Sequence, residues 1–386
     1  MGGIATSLLF SVFDTWYIKA HNTARFDKAL IANTFSYAAY GNSIIAILAG
    51  LLANKIANAS TMTRFIDDRP FTLSDYTTAH GQSTTDIYLG GFIGPFDLAF
   101  GALVLCFLVA SLLWEENYGE QPSDVSRSSS HSEVDDAEMA DSDSSTPLAA
   151  KQDRPKGKET IAAGWKRALN TTMQNRQVLL CGIISSLFEG SMYVFVFMWT
   201  RSLKSLTPGM EESGGHRRTL QEVSLPFGLI FSTFMVCCMA GSSIFSICME
   251  CKVSLEYLAW VIFAIASVCM MVVAISTSDT ITFFAMNVFE MTVGIYFPTM
   301  GTLKSSIVPE NSRSAIYNIY RIPLNFIVLT SLLTDLSVTA SFLACAAMLA
   351  TANILQLQLR HLRQASEGSR STTRPMVEVT IQASSE

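Results

Sequence analysis

From about Ala315 to Leu336 the chain stays apolar for the length of a bilayer crossing, yet inside that run Asn318 to Asn325 reads N-I-Y-R-I-P-L-N. Roughly 20 apolar residues in a helix cross a hydrocarbon core of about 30 Å. A guanidinium at the centre of such a helix costs about 2.5–3.5 kcal/mol on insertion scales, so Arg321 has to turn toward protein or water. At helical spacing Ser314, Asn318, Arg321 and Asn325 share one face, and this polar stripe is expected to point into the protein interior. Whatever the remaining residues build has to enclose it.

The composition fits a chain made mostly of such crossings. Its 386 residues are 49% hydrophobic and only 15% charged, with a mean hydropathy of +0.33, whereas water-soluble domains carry about 25% charged residues. Apolar runs at about 2–19, 30–54, 88–113, 178–200, 226–248, 254–276, 280–302, 315–335 and 337–359 give nine expected spans. The expected fold class is an all-α polytopic membrane protein, with the lipid bilayer as its partner. The net charge of −6 owes much to one acidic segment, and no basic stripe of the kind that binds nucleic acid is present. Cys106, Cys181, Cys237, Cys238, Cys269 and Cys345 fall within apolar runs, where thiols pack as small hydrophobes, so no disulfide framework is expected. The C-x-x-C of Cys248 and Cys251 lacks the second pair or neighbouring histidine that zinc requires. None of the five histidines lies in an expected span, and no G-x-S-x-G, H-E-x-x-H or phosphate loop occurs. Neither an enzyme nor a cofactor is expected.

Four segments follow from the pattern. Residues 1–113 hold three spans; 114–177 form an acidic, Ser-rich linker ending in an amphipathic helix; 178–362 hold six spans; 363–386 form a mobile tail. In the amphipathic stretch Ile161, Trp165, Leu169 and Met173 recur every fourth residue, a pattern suited to a helix lying on a membrane surface. Basic residues at Lys19, Arg25, Lys28, in the linker, and at Lys252, Lys304, Arg313, Arg360 and Arg363 alternate onto one side, which the positive-inside rule makes cytoplasmic. Lys304 and Arg313 are thereby expected in a loop.

Two internal regularities organise the spans. Ile31-Ala-Asn33-Thr-Phe35-Ser36 at the start of the second matches Ile316-Tyr-Asn318-Ile-Tyr320-Arg321 at the start of the eighth. Helices six places apart that resemble one another point to two six-helix halves related by an axis along the membrane normal. Phenylalanine followed by an acid occurs in the first, fourth and seventh spans, as Phe13-Asp14, Phe188-Glu189 and Phe289-Glu290. Asp97, after Gly94-Pro95, is a further acid inside an apolar run.

The candidate anion-binding residues are Arg321, Asn318, Asn325, Asn33 and Tyr320, because a guanidinium with flanking amides offers a planar fork of donors to an oxyanion. Asp14, Glu189 and Glu290 are candidate buried charges, for balance or for coupling. The alternative is architectural: Arg321 pairs with Glu290 or Glu189 and fixes helix packing.

Thr6 to Ile18, Ser186 to Thr200, Pro226 to Met235, Gly294 to Met300 and Asn318 to Asn325 together resemble the molybdate-anion transporter family of the major facilitator superfamily. The resemblance implies a twelve-helix alternating-access transporter with a central anion cavity lined by the spans bearing Asp14, Glu189 and Glu290. Members of that family continue upstream of Gly2-Gly3 with three more helices, so the chain is expected to hold helices four to twelve of the pattern. Asp14 stands where glutamate is usual. The implied function is uptake of molybdate or a similar oxyanion at the plasma membrane, with linker and C-terminus cytoplasmic. The alternatives are a carrier for a sugar or organic anion and a truncated, non-transporting membrane protein.

Overall fold

The computed structural model describes residues 2–27, 29–59, 61, 63–64, 88–114, 161–206 and 227–373. The acidic part of the expected linker and the end of the expected tail lie outside these residues. The described chain is all-helical apart from one two-stranded ladder, as expected.

Helix α1 spans Gly2–Thr23 and α2 spans Ala29–Ala59. Strand β1 (Thr63–Arg64) pairs antiparallel with β2 (Tyr88–Leu89), Thr63 opposite Leu89. Then come α3 (Gly94–Leu113), α4 (Ile161–Gln174), α5 (Arg176–Leu206), α6 (Phe227–Glu250), α7 (Leu255–Ile275), α8 (Asp279–Ile307), α9 (Arg313–Leu333) and α10 (Val338–Thr373). Among the described residues 8 helices, α2, α3 and α5 to α10, are long and apolar enough to cross a membrane. Nine spans were expected; the first of them forms α1, a helix of 22 residues that is not among these eight. Lipid offers no hydrogen bonds, so a crossing segment has to satisfy its own backbone, and a helix does so.

Local chemistry sets the helix ends. The Asn175 side chain accepts the backbone N–H groups of Gln177 at 3.0 Å and Val178 at 3.4 Å, capping α5. Asp97 has a similar duty, accepting the Gly90 N–H at 2.9 Å in the turn that enters α3. Gly90 and Gly91 take φ of 77° and 53° there, a region closed to most side chains. Helix α10 runs to Thr373, past the point where the tail was expected to begin.

Helices α5 to α10 pack into one bundle whose apolar core includes a cluster of aromatic rings. Phe188, Phe195, Phe234, Phe263, Phe289 and Tyr296 are fully buried, and Phe188 stacks on Tyr296 with centroids 3.9 Å apart. Gly241 of α6 and Gly294 of α8 bring two backbones together: a Cβ on Gly294 would strike the Cys238 carbonyl, and one on Gly241 the Met291 carbonyl. Toward the C-terminal end of α10, Arg363 pairs with Glu256 at 2.7 Å and donates to Ser306 at 3.0 Å. Helix α4 seats Ala168 and Thr172 against the bundle and leaves Trp165, Leu169 and Met173 exposed.

Helices α1 and α2 join this bundle through small and polar residues. The Ser36 hydroxyl donates to the Ser242 carbonyl at 2.9 Å and lies 2.7 Å from the Ser246 hydroxyl. Farther along α2, Ser43 lies beside Cys238, and Gly50 faces the Phe231 ring. The two helices therefore touch along their length, running antiparallel. Helix α1 meets α9, and Asn22 donates to a Glu310 carboxylate oxygen at 3.0 Å.

Candidate functional site

Helices α1, α2, α5, α6, α8 and α9 enclose a cavity of about 330 Å³. Asp14 enters it from α1, Asn42 from α2, Ser185, Ser186 and Glu189 from α5, Tyr296 and Lys304 from α8, and Tyr317, Tyr320 and Arg321 from α9. The wall is completed by apolar and small residues including Phe35, Phe297, Met300 and Gly301.

Helix α9 supplies Arg321 because its buried face is set by Arg313, Ile316, Tyr317, Tyr320, Arg321 and Leu324. Those positions repeat at three and four residues, the spacing of one helical face. Arg321 is only 8% exposed, and its guanidinium lies in hydrogen-bonding reach of the Tyr193 hydroxyl. The neighbouring Tyr320 ring fills the space over Gly182, and its hydroxyl donates to the Val178 carbonyl at 2.7 Å. Tyr320 thus lines the cavity with its ring while its hydroxyl is committed to the backbone of α5.

The expected inward stripe is realised only in part. Asn325 and Asn33 are exposed, and the half-buried Asn318 donates to the Ser314 carbonyl at 3.1 Å. Aromatic and aliphatic residues bury more apolar area than amides do, so they fix the rotation of α9 and leave the asparagines to its flanks. Glu290 is buried but does not line the cavity, whereas Asp14 and Glu189 both do.

The partner of Glu189 is the residue that sequence reasoning assigned elsewhere. Lys304 is not in a loop: it sits on α8, its Nζ 3.0 Å from Glu189 Oε1. The Tyr296 hydroxyl donates to the same oxygen, also at 3.0 Å. Helix α8 has 29 residues, about 43 Å at 1.5 Å per residue. Lys304 therefore belongs to a helix longer than the hydrocarbon core, and the signal that could have found it is its spacing of eight from Tyr296, which puts both on one face. Arg313 is likewise buried, donating to the Ser305 and Val308 carbonyls at 3.2 Å and fastening the turn between α8 and α9. Asp14 lies close enough to interact electrostatically with both Lys304 and Glu189. Two carboxylates and two fixed cations thus meet in one enclosed space, an arrangement able to take up a charged solute by exchanging ionic partners.

The chain matches a family described as sugar transporters with 12 transmembrane helices, over residues 1–74 and 151–287. It is also similar to the molybdate-anion transporter of Xenopus tropicalis, 27% identical over 336 residues, or 85% of this chain and 56% of that protein. The proteins of the same name in Danio rerio and Takifugu rubripes are 26% and 25% identical, each over 86% of this chain and 59% of its own length. The chain therefore spans a little over half the length of these relatives. The matched residues take in α1, α2, α5, α6, α7 and the first turns of α8, and the chain belongs to that major facilitator family of transporters.

Proposed function

We propose that the protein carries a small tetrahedral oxyanion of the molybdate class across a membrane by alternating access. The observation that supports this most is the presence of Arg321 and Lys304 in one cavity walled by helices from both sides of the linker. A guanidinium and an ammonium on separate helices can hold an oxyanion by charge-assisted hydrogen bonds, and relative motion of those helices changes how well they do so. The names of the relatives point to the same solute class. In this reading the linker and C-terminus face the cytoplasm, and the plasma membrane is the site of uptake.

Arg321→Ala is expected to abolish molybdate accumulation in cells while leaving the protein at the membrane. Unchanged accumulation would reject the assignment of Arg321. A second reading, a sugar carrier, draws on the family description and on the neutral polar groups Asn42, Ser185 and Ser186 in the wall. Competition separates the two: sulfate and tungstate should suppress molybdate uptake and glucose should not. Inhibition by glucose alone would favour the sugar reading, and transport of none of these solutes would favour a non-transporting membrane protein.

A further inference from the structure

Asp14 and Glu189 balance Lys304 and Arg321, so the formal charge of the cavity is zero. An oxyanion arriving there finds Lys304 already paired with a carboxylate. Desolvated negative charge that lacks a partner is strongly disfavoured, so anion binding requires some carboxylate to give up its cation. Glu189 is the one arranged to do so. Its Oε1 accepts from Lys304 Nζ and from the Tyr296 hydroxyl, each at 3.0 Å, a cation and a neutral donor converging on one oxygen. That is the donor set a phosphate-like or molybdate-like oxygen seeks.

We propose, building on the oxyanion-carrier reading, that Glu189 is a built-in competitor for the transported anion. In the empty cavity its carboxylate occupies Lys304 and Tyr296; the oxyanion binds by taking over those donors, and Glu189 swings toward the open space. The exchange needs no unpacking, because the Lys304 and Glu189 side chains keep 18% and 16% exposure on the cavity. The donors themselves are held still: the Tyr296 ring is clamped on Phe188, and Lys304 shares its helix. Competitor and donors also sit on different helices, α5 and α8, so a shift between those helices changes the competition and assists release. Apparent affinity falls by the fraction of carriers whose donors are occupied, and removing the competitor restores it.

The test is calorimetric titration of the purified full chain in lipid nanodiscs with sodium molybdate, at fixed pH and ionic strength. Glu189→Gln is expected to bind about tenfold more tightly than the unaltered protein, and Lys304→Met about tenfold more weakly. Vesicles preloaded with molybdate should release it more slowly through Glu189→Gln. A purely architectural ion pair predicts the opposite for the first variant, equal or weaker binding with loss of stability, and that result overturns the proposal. Should Glu189→Gln not fold, Glu189→Asp draws the carboxylate back from Lys304 while keeping its charge, and the same tightening is expected; unchanged or weaker binding again overturns it. If the unaltered chain binds neither molybdate, sulfate nor phosphate, the carrier reading falls and takes the competitor with it. If it binds, and Arg321→Ala loses binding, but neither Glu189 variant binds more tightly, only the competitor falls.

Discussion

Phe188 and Glu189 are neighbours in sequence with opposite environments, one side chain fully buried among aromatic rings and the other in the cavity. Adjacent residues on a helix point about 100° apart, so a helix at the edge of a cavity can anchor with one and act with the next. Phe188→Ala should cost about 3–5 kcal/mol of stability, as large core truncations do, and should also loosen the Tyr296 ring that stacks on it. Denaturant titration of the detergent-solubilised protein measures the first effect, and a loss below about 1 kcal/mol would mean that the site collapses to fill the void. The acids Asp14 and Glu189 and the cation Arg321 were legible in the sequence because each interrupts an apolar run, where a charge has few innocent explanations. Lys304 was not, since it stands near the end of α8, where a lysine ordinarily faces water. Asn33 and Asn325 misled for the converse reason: amides inside apolar runs look functional, yet at a helix flank they are simply exposed.

At the scale of elements, hydropathy located every long helix, and the differences lie at the ends. Helices α5, α8 and α10 each continue past their expected spans, because a helix does not stop where lipid does; it stops where its backbone finds another partner. The repeat linking α2 to α9 has a spatial counterpart: Phe35 and its equivalent Tyr320 both line the cavity, while Asn33 is exposed and Asn318 half-buried. The contact of α6 with α8 was not legible, since Gly241 and Gly294 carry no sign in sequence that they face one another. Their backbones are too close for a methyl group on either. Gly294→Ala should therefore force the helices apart and cost about 1–3 kcal/mol, as overpacking does. Thermal unfolding in detergent checks this, and a variant as stable as the parent would show that α6 and α8 separate without penalty.

For the whole molecule, the question is how α1 and α2 stay attached to the bundle that holds the rest of the cavity. Asn22 and Glu310 make a polar link between them, part-buried and 3.0 Å long. Asn22→Ala removes that link and should speed modification of the cavity-lining Cys238 by a small thiol reagent added from the Asn22 side, followed by peptide mass spectrometry. An unchanged rate would show that the link does not restrict entry. No such tie between residues so far apart in the chain could be foreseen from a single sequence, whereas the existence of two groups of helices could.

The run of small residues where α2 lies along α6 also limits which motions are open to the protein. Ser36, Ser43 and Gly50 fall at every seventh position, the interval that keeps one edge of a helix turned toward a tilted neighbour. Pulling the two groups of helices straight apart would tear all three contacts at once, whereas a tilt about that edge is the motion that disturbs them least.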